Sequence, residues 1–493
     1  MTNEEKDRLA RLEKIREAGI DPYPTKASKT HTIKGFLESF ESLVKSKDKI
    51  EIVGRVRLLR KHGGLTFLQL QDESGTAQLV LKKDVIGEEL YNQFHDFFDV
   101  GDFLNASGST FVTKKEENSL LVESYSIVSK TVLPLPEKWH GISDVETRFR
   151  KRYLDLIMNE EVGERMRART RIISSMRQLL DEKGFLEVET PTLQPIYGGG
   201  FARPFVTHHN ALDADFYLRI SDEMYLKRLL VGGFEKVYEI TKVFRNEGID
   251  RDHNPEFTMF EAQIAYENYE YGMDLFEEIF ENASMAASGS TSVDHGDVVV
   301  ELKRPWKRMR LIDAVEKIGE LDSSTWKDLD EARAVLKKKL NKKLHEDIDK
   351  TSTIGGLMAL AFEELVEEQL VQPTIVYDYP VEVSPLAKRS AEDPRFTERF
   401  EVFALGSELG NNYSELNDPV DLEKRFVDEK NRAQAGFDEA HQTDYDYLDA
   451  IKHGMPPACG LGVGVDRMIM LLTGAKNIKE VIAFPTLRPE NNE

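Results

Sequence analysis

The spacing of apolar and polar positions changes twice along this 493-residue chain. Near the start, Leu9, Leu12 and Ile15 recur at helical intervals among charges, with Gly19 and Pro22 following, which predicts a helix over residues 3–18. From 49 to 130 the period is two. "KIEIVGRVRLL", "LTFLQLQ", "TAQLVLKK", "DFLNASGSTFVT" and "SLLVESYSIVSK" read as five strands, and a helical stretch over 84–98 falls between the third and fourth. That order is the order of an OB-fold β-barrel, whose second and third strands bind single-stranded nucleic acid. Beyond the proline-punctuated "LPLPEKWHGISD" (133–144) the period lengthens. Long helices are expected at 163–183, 266–287 and 354–370, alternating with apolar strands, and the Ala/Ser/Gly run 283–292 is expected to be a loop. No internal repeat is present. The pattern divides the chain into an N-terminal helix (1–25), a barrel domain (26–138), a linker (139–150) and an α+β domain with an antiparallel sheet flanked by helices (151–493).

Within the barrel the alternation separates two faces. Thr66, Leu68 and Leu70 share one, and Phe67, Gln69 and Gln71 share the other. The outward face is expected to carry Arg55 and Arg57 from the first strand and Gln78 and Lys82 from the third. A phenylalanine among amides and arginines suits base stacking with edge hydrogen bonds; the alternative is a ring packed under a neighbouring loop. The leading helix has two readings as well. Lys6, Arg8, Arg11, Lys14 and Arg16 are interleaved with acids, which fits an RNA-contacting helix or a salt-bridged surface one.

Length alone favours two or three domains. No apolar run reaches the ~20 residues that span a bilayer, and the N-terminus "MTNEEKDRLARLEKIREAG" is charged rather than secretory, so a cytoplasmic protein is expected. A single cysteine, Cys459, excludes an internal disulfide and a cysteine-based zinc site. Net charge −22 argues against nucleic acid when taken alone. Residues 1–150, however, carry 23 basic and 24 acidic side chains, so the remaining −21 lies in 151–493. The first third can therefore present a nucleic-acid surface.

The second domain has no GxxxxGK(S/T) phosphate loop and no GxSxG elbow. "GLGVGVDRMIMLLTG" (460–474) is GxGxG rather than a dinucleotide fingerprint. As a glycine-rich strand entering a helix at Asp466–Arg467, it would let a flat ligand lie against the backbone with Arg467 at its edge. "FRNEGIDRDHNPEFTMFE" (244–261) crowds Arg245, Glu247, Arg251, His253, Glu256 and Glu261 around an Asn-Pro turn beside three phenylalanines. That is either a solvated loop or a pocket where arginines meet phosphates and a ring meets a base. "SELGNNYSELNDP" (407–419) sets Glu408 and Glu415 seven residues apart. Two carboxylates without cysteine or histidine suit a hard cation such as Mg2+, unless they form a solvated acidic hairpin.

These stretches resemble a known family. "GFLEVETPTL" (184–193), residues 244–261 and "GLGVGVDRMIMLLTGAKNIKEVIAFPTLRPE" (460–490) are similar to motifs 1, 2 and 3 of class II aminoacyl-tRNA synthetases. The N-terminal barrel is similar to that of subclass b, the aspartate, asparagine and lysine enzymes. "RYLDLI" (152–157), "ARPFVTHHNALD" (202–213), "YLKRLLVGGFEKVYEI" (225–240), "QPTIVYDYPVEVSPLAKR" (372–389) and "SELNDP" (414–419) resemble the lysyl-tRNA synthetases specifically.

The resemblance implies that L-lysine and ATP form lysyl-adenylate and pyrophosphate, and that lysine then passes to the 3′ end of tRNA(Lys), in a homodimer held by motif 1. Arg245, Glu247 and Arg467 are the implied catalytic residues. Arg245, Glu247, His253, Asn254, Phe257, Glu408 and Arg467 are implied to bind ATP, and Glu408 and Glu415 to hold Mg2+. Gly199, Glu223, Arg245, Glu261, Gln263, Asn411, Tyr413 and Glu415 are implied to bind lysine. Arg55, Phe67 and Gln78 would read the anticodon on the barrel. The sequence also departs from the family. Gln263 replaces a usual tyrosine, Gly200 a common alanine, Asn412 a glycine or alanine, and Ser119 the glutamate usually found before the last barrel strand. An aspartate or asparagine ligase is disfavoured, because a pocket of carboxylates repels aspartate and matches an amide poorly. A non-catalytic RNA-binding descendant is disfavoured by the presence together of Arg245, Phe257, Glu408, Glu415 and Arg467.

Overall fold

The computed structural model describes residues 1–136, 144–200, 202–434 and 444–490, with the backbone alone over 428–434. The chain divides into two compact units, Met1–Ser143 and Asp144–Glu493. The expected linker falls partly outside the described residues, at 139–143. Its remainder, Val145–Arg150, is helical and begins at Asp144, whose side chain accepts from the Thr147 amide.

The first unit opens with helix α1 (Asn3–Glu17), started by a capping box between Thr2 and Glu5. Two of its five basic residues turn back into the unit. Arg8 donates to the Val100 carbonyl and, at 2.8 Å, to Thr131 Oγ1, and Arg11 pairs with Asp99 at 2.8 Å. Strands β1 (Ile50–His62), β2 (Leu65–Asp72), β3 (Gly75–Lys82), β4 (Phe103–Val112) and β5 (Asn118–Ser129) close into a barrel of order β1-β2-β3-β5-β4. The interval between β3 and β4 holds two short helices, Lys83–Ile86 and Glu88–Phe97, separated by Gly87 at φ +90°. The period-two pattern works as expected: Ile50, Ile52, Leu68, Leu70, Leu79 and Leu104 point into the barrel and join Tyr91 and Phe94 in its core. A bulge between Val56 and Leu58 interrupts the β1–β2 register.

The second unit is built on an eight-stranded sheet. Helices α2 (Glu160–Glu182), α3 (Glu223–Val231) and α4 (Tyr269–Ser288), and later α5 (Ile354–Leu365) and α6 (Val465–Thr473), accompany it. Its strands in chain order are β6 (Leu186–Glu187), β7 (Lys236–Phe244), β8 (Glu256–Ala265), β9 (Lys307–Arg310), β10 (Thr374–Pro380), β11 (Phe396–Ala404), β12 (Ser407–Ser414) and β13 (Ala458–Gly464). In space they run β9-β10-β11-β12-β13-β8-β7-β6, antiparallel except for the outermost pair at each edge. Helices α2, α4 and α6 contribute to one core with the central strands, and the helices between 311 and 370 form another with β10 and β11.

Two helix expectations shift. The helix begun at 354 stops at Leu365 and tightens to a 3-10 turn at Glu367–Gln369. The expected loop at 283–292 is helical as far as Ser288. Ala283 and Ala287 are small enough to sit buried where α4 meets the core, and Gly289, at φ +78°, ends the helix. No helix among the described residues is long and apolar enough to cross a membrane.

Candidate active site

The β7–β8 hairpin supplies the floor of a cavity of about 400 Å3. Along β8 the residues alternate. Phe260, Ala262 and Ile264 pack into the core, while Phe257, Met259, Glu261 and Gln263 line the cavity. Strand β13 runs beside it with glycine at each facing position: Met259 is opposite Gly464, Glu261 opposite Gly462 and Gln263 opposite Gly460. A methyl group on Gly460 would stand 2.1 Å from Glu415 Oε1 and 2.8 Å from Gln263 Nε2, so only glycine leaves room for both side chains. On β12, Asn411 and Tyr413 face the same cavity, and Glu415 follows just past the strand end. The expected ATP and lysine residues all line this one cavity.

One end is shaped by arginines and an aromatic ring. Arg245 leaves β7 at the hairpin loop, and its guanidinium lies 5.2 Å from the Phe257 ring centroid. Burial lowers its pKa, while Glu408, Glu247 and Glu261 oppose the loss, and its Nε has no hydrogen-bond partner among the described residues. Arg467, in the first turn of α6, donates to the Glu408 carbonyl at 2.9 Å and reaches His253 Nε2 at 3.0 Å. Arginine is always a donor, so His253 Nε2 is an acceptor and the ring proton sits on Nδ1, 2.9 Å from Asp250. Glu247 is exposed at the rim. Asn254 spends both ends of its amide internally, donating to the Glu256 carbonyl at 2.6 Å and accepting from the Thr486 amide at 3.2 Å.

The other end is carboxylate-rich. Gly199 (φ +84°) passes so close to Ser221 that a Cβ would stand 2.7 Å from its hydroxyl. Ser221 Oγ donates to Glu261 Oε1 at 2.8 Å and accepts from the Glu223 amide at 3.1 Å. Tyr413 donates to Glu223 at 2.5 Å, and Gln263 donates to Glu415 at 2.8 Å. Gln263 Oε1 is buried without a donor among the described residues. Burial pushes both Glu261 and Glu415 up to about 7, with Glu223 adding to the rise in each case. Asn412 faces away, accepting from the Gly462 amide at 2.9 Å.

Lys227 completes this end and was not anticipated. Its ammonium is fully buried, pairs with Glu223 and lies 2.5 Å from Glu415 Oε2. The rings of Tyr413 and Tyr447 flank it at 5.3 and 5.9 Å. Burial works against its charge, but Glu223 and Glu415 outweigh burial and keep it an ammonium. Lys227 lies four residues after Glu223 on one helix, a spacing that brings side chains together, so the pairing with Glu223 was detectable in sequence. The third partner, 188 positions away in sequence, was not.

The metal expectation divides. Glu415 holds an ammonium and an amide, which is a poor donor set for a divalent cation. Glu408 fits better. It is 39% exposed, and it repels Glu401 on the paired strand and Glu367, which burial and these two neighbours push up to about 7. Among the described residues no three His, Cys, Asp or Glu side chains form a complete metal site. An ATP-bound Mg2+ requires only one or two carboxylates, because phosphate and water supply the other ligands.

The second unit matches a family described as tRNA synthetases class II (D, K and N) over residues 144–488, and the barrel matches OB-fold nucleic acid binding domains over 50–128. This chain belongs to the class II tRNA synthetases. Among curated relatives, the Lysine--tRNA ligase of Carboxydothermus hydrogenoformans is 47% identical over 487 residues, covering 99% of this chain and 98% of that protein. The Lysine--tRNA ligase of Pelotomaculum thermopropionicum is 46% identical, covering 98% and 94%, and that of Thermoanaerobacter pseudethanolicus 45%, covering 98% and 96%. In this synthetase the barrel presents Arg55, Phe67 and Gln78 outward and half-buried. Gln69 is paired with Gln78, and Phe67 lies two residues along the same face of β2. Gln78 donates to Ser119 Oγ at 3.0 Å, and Arg55 donates to the Gly101 carbonyl at 2.9 Å with its guanidinium 4.2 Å from the Phe103 ring centroid.

Proposed function

We propose that this synthetase is a lysine–tRNA ligase, which activates L-lysine with ATP and transfers it to the 3′ end of tRNA(Lys). The observation that carries the reading is the two-ended cavity: Arg245, Phe257 and Arg467 at one end, and Glu223, Glu261 and Glu415 at the other. The adenine would lie between Phe257 and Arg467, with Glu247, His253 and Asn254 around the nucleotide. Arg245 would bridge the α-phosphate and the substrate carboxylate as a bidentate donor. That carboxylate is ionised at neutral pH and attacks the α-phosphorus directly, so no general base is required. Catalysis then rests on positioning the two reactants and stabilising charge at the phosphate.

At the other end, Glu261 and the Gly199 backbone would take the α-ammonium. The ε-ammonium would meet Glu415, Glu223 and the unpartnered oxygen of Gln263, with Asn411 and Tyr413 beside it. Lys227 pairs with both Glu223 and Glu415, so these carboxylates are held in place and would share their charge between Lys227 and the substrate ammonium. Aspartate has no counterpart for its second carboxylate here. Mg2+ would be held by Glu408, with phosphate and water oxygens as its other ligands, and would offset negative charge on the ATP phosphates. The anticodon would stack on Phe67, with Gln78 and Arg55 contacting base edges and backbone. A cytoplasmic homodimer joined through residues 184–193 is the assembly we propose.

The test is ATP–pyrophosphate exchange without tRNA, across the twenty amino acids and ornithine. Exchange with lysine alone is expected. Exchange with another amino acid would overturn the substrate, and no exchange by folded, Mg2+-supplied protein would overturn the enzyme.

A further inference from the structure

Asp222 stands where an aspartate ordinarily caps a helix, immediately before α3, yet its side chain makes no bond to the first turn. The side chain is turned inward instead. It is fully buried, and neither carboxyl oxygen has a hydrogen-bond donor among the described residues. The charged groups facing it are Glu261 on β8, Glu239 on β7 and Arg219. Arg219 is already committed to Glu239 at 2.7 Å, and its other nitrogens donate to the Lys242 carbonyl and Thr241. Glu239 is itself satisfied by Arg219 and by the Thr190 amide and hydroxyl. A carboxylate in this position would be buried among carboxylates with no cation left to pair with it, which is prohibitively costly. A carboxylic acid there could donate to Glu261, the facing side chain, which the adjacent Ser221 already reaches at 2.8 Å.

We propose that Asp222 is a positioning residue that works as a carboxylic acid, sharing one proton with Glu261 and so holding the Glu261 carboxylate toward the substrate's α-ammonium. Two bonds then fix Glu261, one from Asp222 and one from Ser221, and neither comes from a cation that would compete with the substrate. Burial pushes the Asp222 carboxyl far above the ordinary range, and Glu261 and then Glu239 push it further. The inference rests on the lysine reading for the identity of the ammonium, but not for the proton.

The experiment is infrared difference spectroscopy of the full-length protein without substrate, wild type against Asp222→Asn, at neutral pH. The carbonyl stretch of a protonated carboxylic acid, shifted by deuterium exchange, is expected in wild type and absent from the variant. Loss of carboxylate bands in place of that stretch would overturn the proposal. Should the variant not fold, the carboxyl carbon shift of isotope-labelled Asp222 in wild type reads the same protonation state. Kinetics test the positioning role with whichever amino acid supports exchange. Asp222→Asn, which keeps a donor, is expected to hold the amino-acid KM within about twofold, whereas Asp222→Ala raises it about tenfold or more with the ATP KM unchanged. Equal KM values in the two variants would refute positioning even if the proton were found.

Discussion

On the barrel, the side chains proposed to meet RNA are half-buried and lightly tethered: Arg55 rests on one carbonyl and one ring, and Gln78 on one hydroxyl. In the sheet cavity, Ser221, Glu223, Glu261, Gln263, Tyr413, Glu415 and Lys227 are joined by hydrogen bonds and ion pairs, and all but Tyr413 are under 10% exposed. The difference follows from the ligands. A single-stranded base brings its own stacking surface and is met at a solvated face, where each contact is worth roughly 1–3 kcal/mol. An amino acid with two ammoniums must be desolvated, so every opposing charge has to be fixed beforehand. Losing one cavity residue therefore disturbs the rest, whereas losing one barrel residue should remove little beyond its own contact.

The most severe test of that contrast is Arg245→Ala, which is expected to lower kcat/KM for tRNA-independent pyrophosphate exchange by about 10³-fold or more, since a preorganised cation at the developing charge is removed. A loss confined to KM would mean that the arginine binds substrate without stabilising the transition state. Glu223→Ala should come next. It frees Lys227 as well as the substrate ammonium, and about 2–5 kcal/mol in lysine recognition is expected, read as a rise in lysine KM with the ATP KM unchanged. An unchanged lysine KM would refute the assignment.

Gly460→Ala tests crowding rather than charge. The added methyl meets Glu415 and Gln263, and a loss of about 1–3 kcal/mol in lysine binding is expected from protein that melts as a folded enzyme. On the barrel, Phe67→Ala should weaken tRNA binding by about 1–3 kcal/mol and leave tRNA-independent exchange untouched. A change in exchange would abolish the distinction between the two regions.

The gentlest test is pH. Glu415 is pushed from an ordinary 4.5 up to about 7, by burial against the pull of Lys227, so its folded form favours the proton. Its contribution to the stability of the unliganded protein is complete below about 4.5 and is lost as pH rises through about 7. Lysine binding needs the ionised carboxylate and should strengthen over the same interval. Opposite slopes, in denaturant titrations and in kcat/KM for lysine, are the expected result. Parallel slopes would show that the group does not titrate in the cavity.

Much was legible before the structure. The barrel order, the helical and strand periods and the cavity-lining motif residues depend on local spacing and on short blocks whose chemistry is written in adjacent residues. The alternation of Phe257, Glu261 and Gln263 against Phe260 and Ala262 follows from a strand period of two. The run 283–292 was misread because small residues suit a turn and a tightly packed helix equally, and only the neighbouring core decides between them. Arg8 and Arg11 on the first helix were ambiguous for the same kind of reason: an arginine's partner is chosen by what lies across from it.

What the sequence by itself determined is therefore the family, the two-unit plan and the stretches that carry the chemistry, because these are local and repeat a recognisable spacing. What only the tertiary structure decided is which charges face one another. That Glu415 meets Lys227 and Gln263, and that Asp222 faces Glu261 and caps nothing, depends on segments far apart in the chain being brought within a few ångströms. The energy of a buried charge is set by those distances and by the loss of water around it, and neither is encoded in the spacing of residues along one segment.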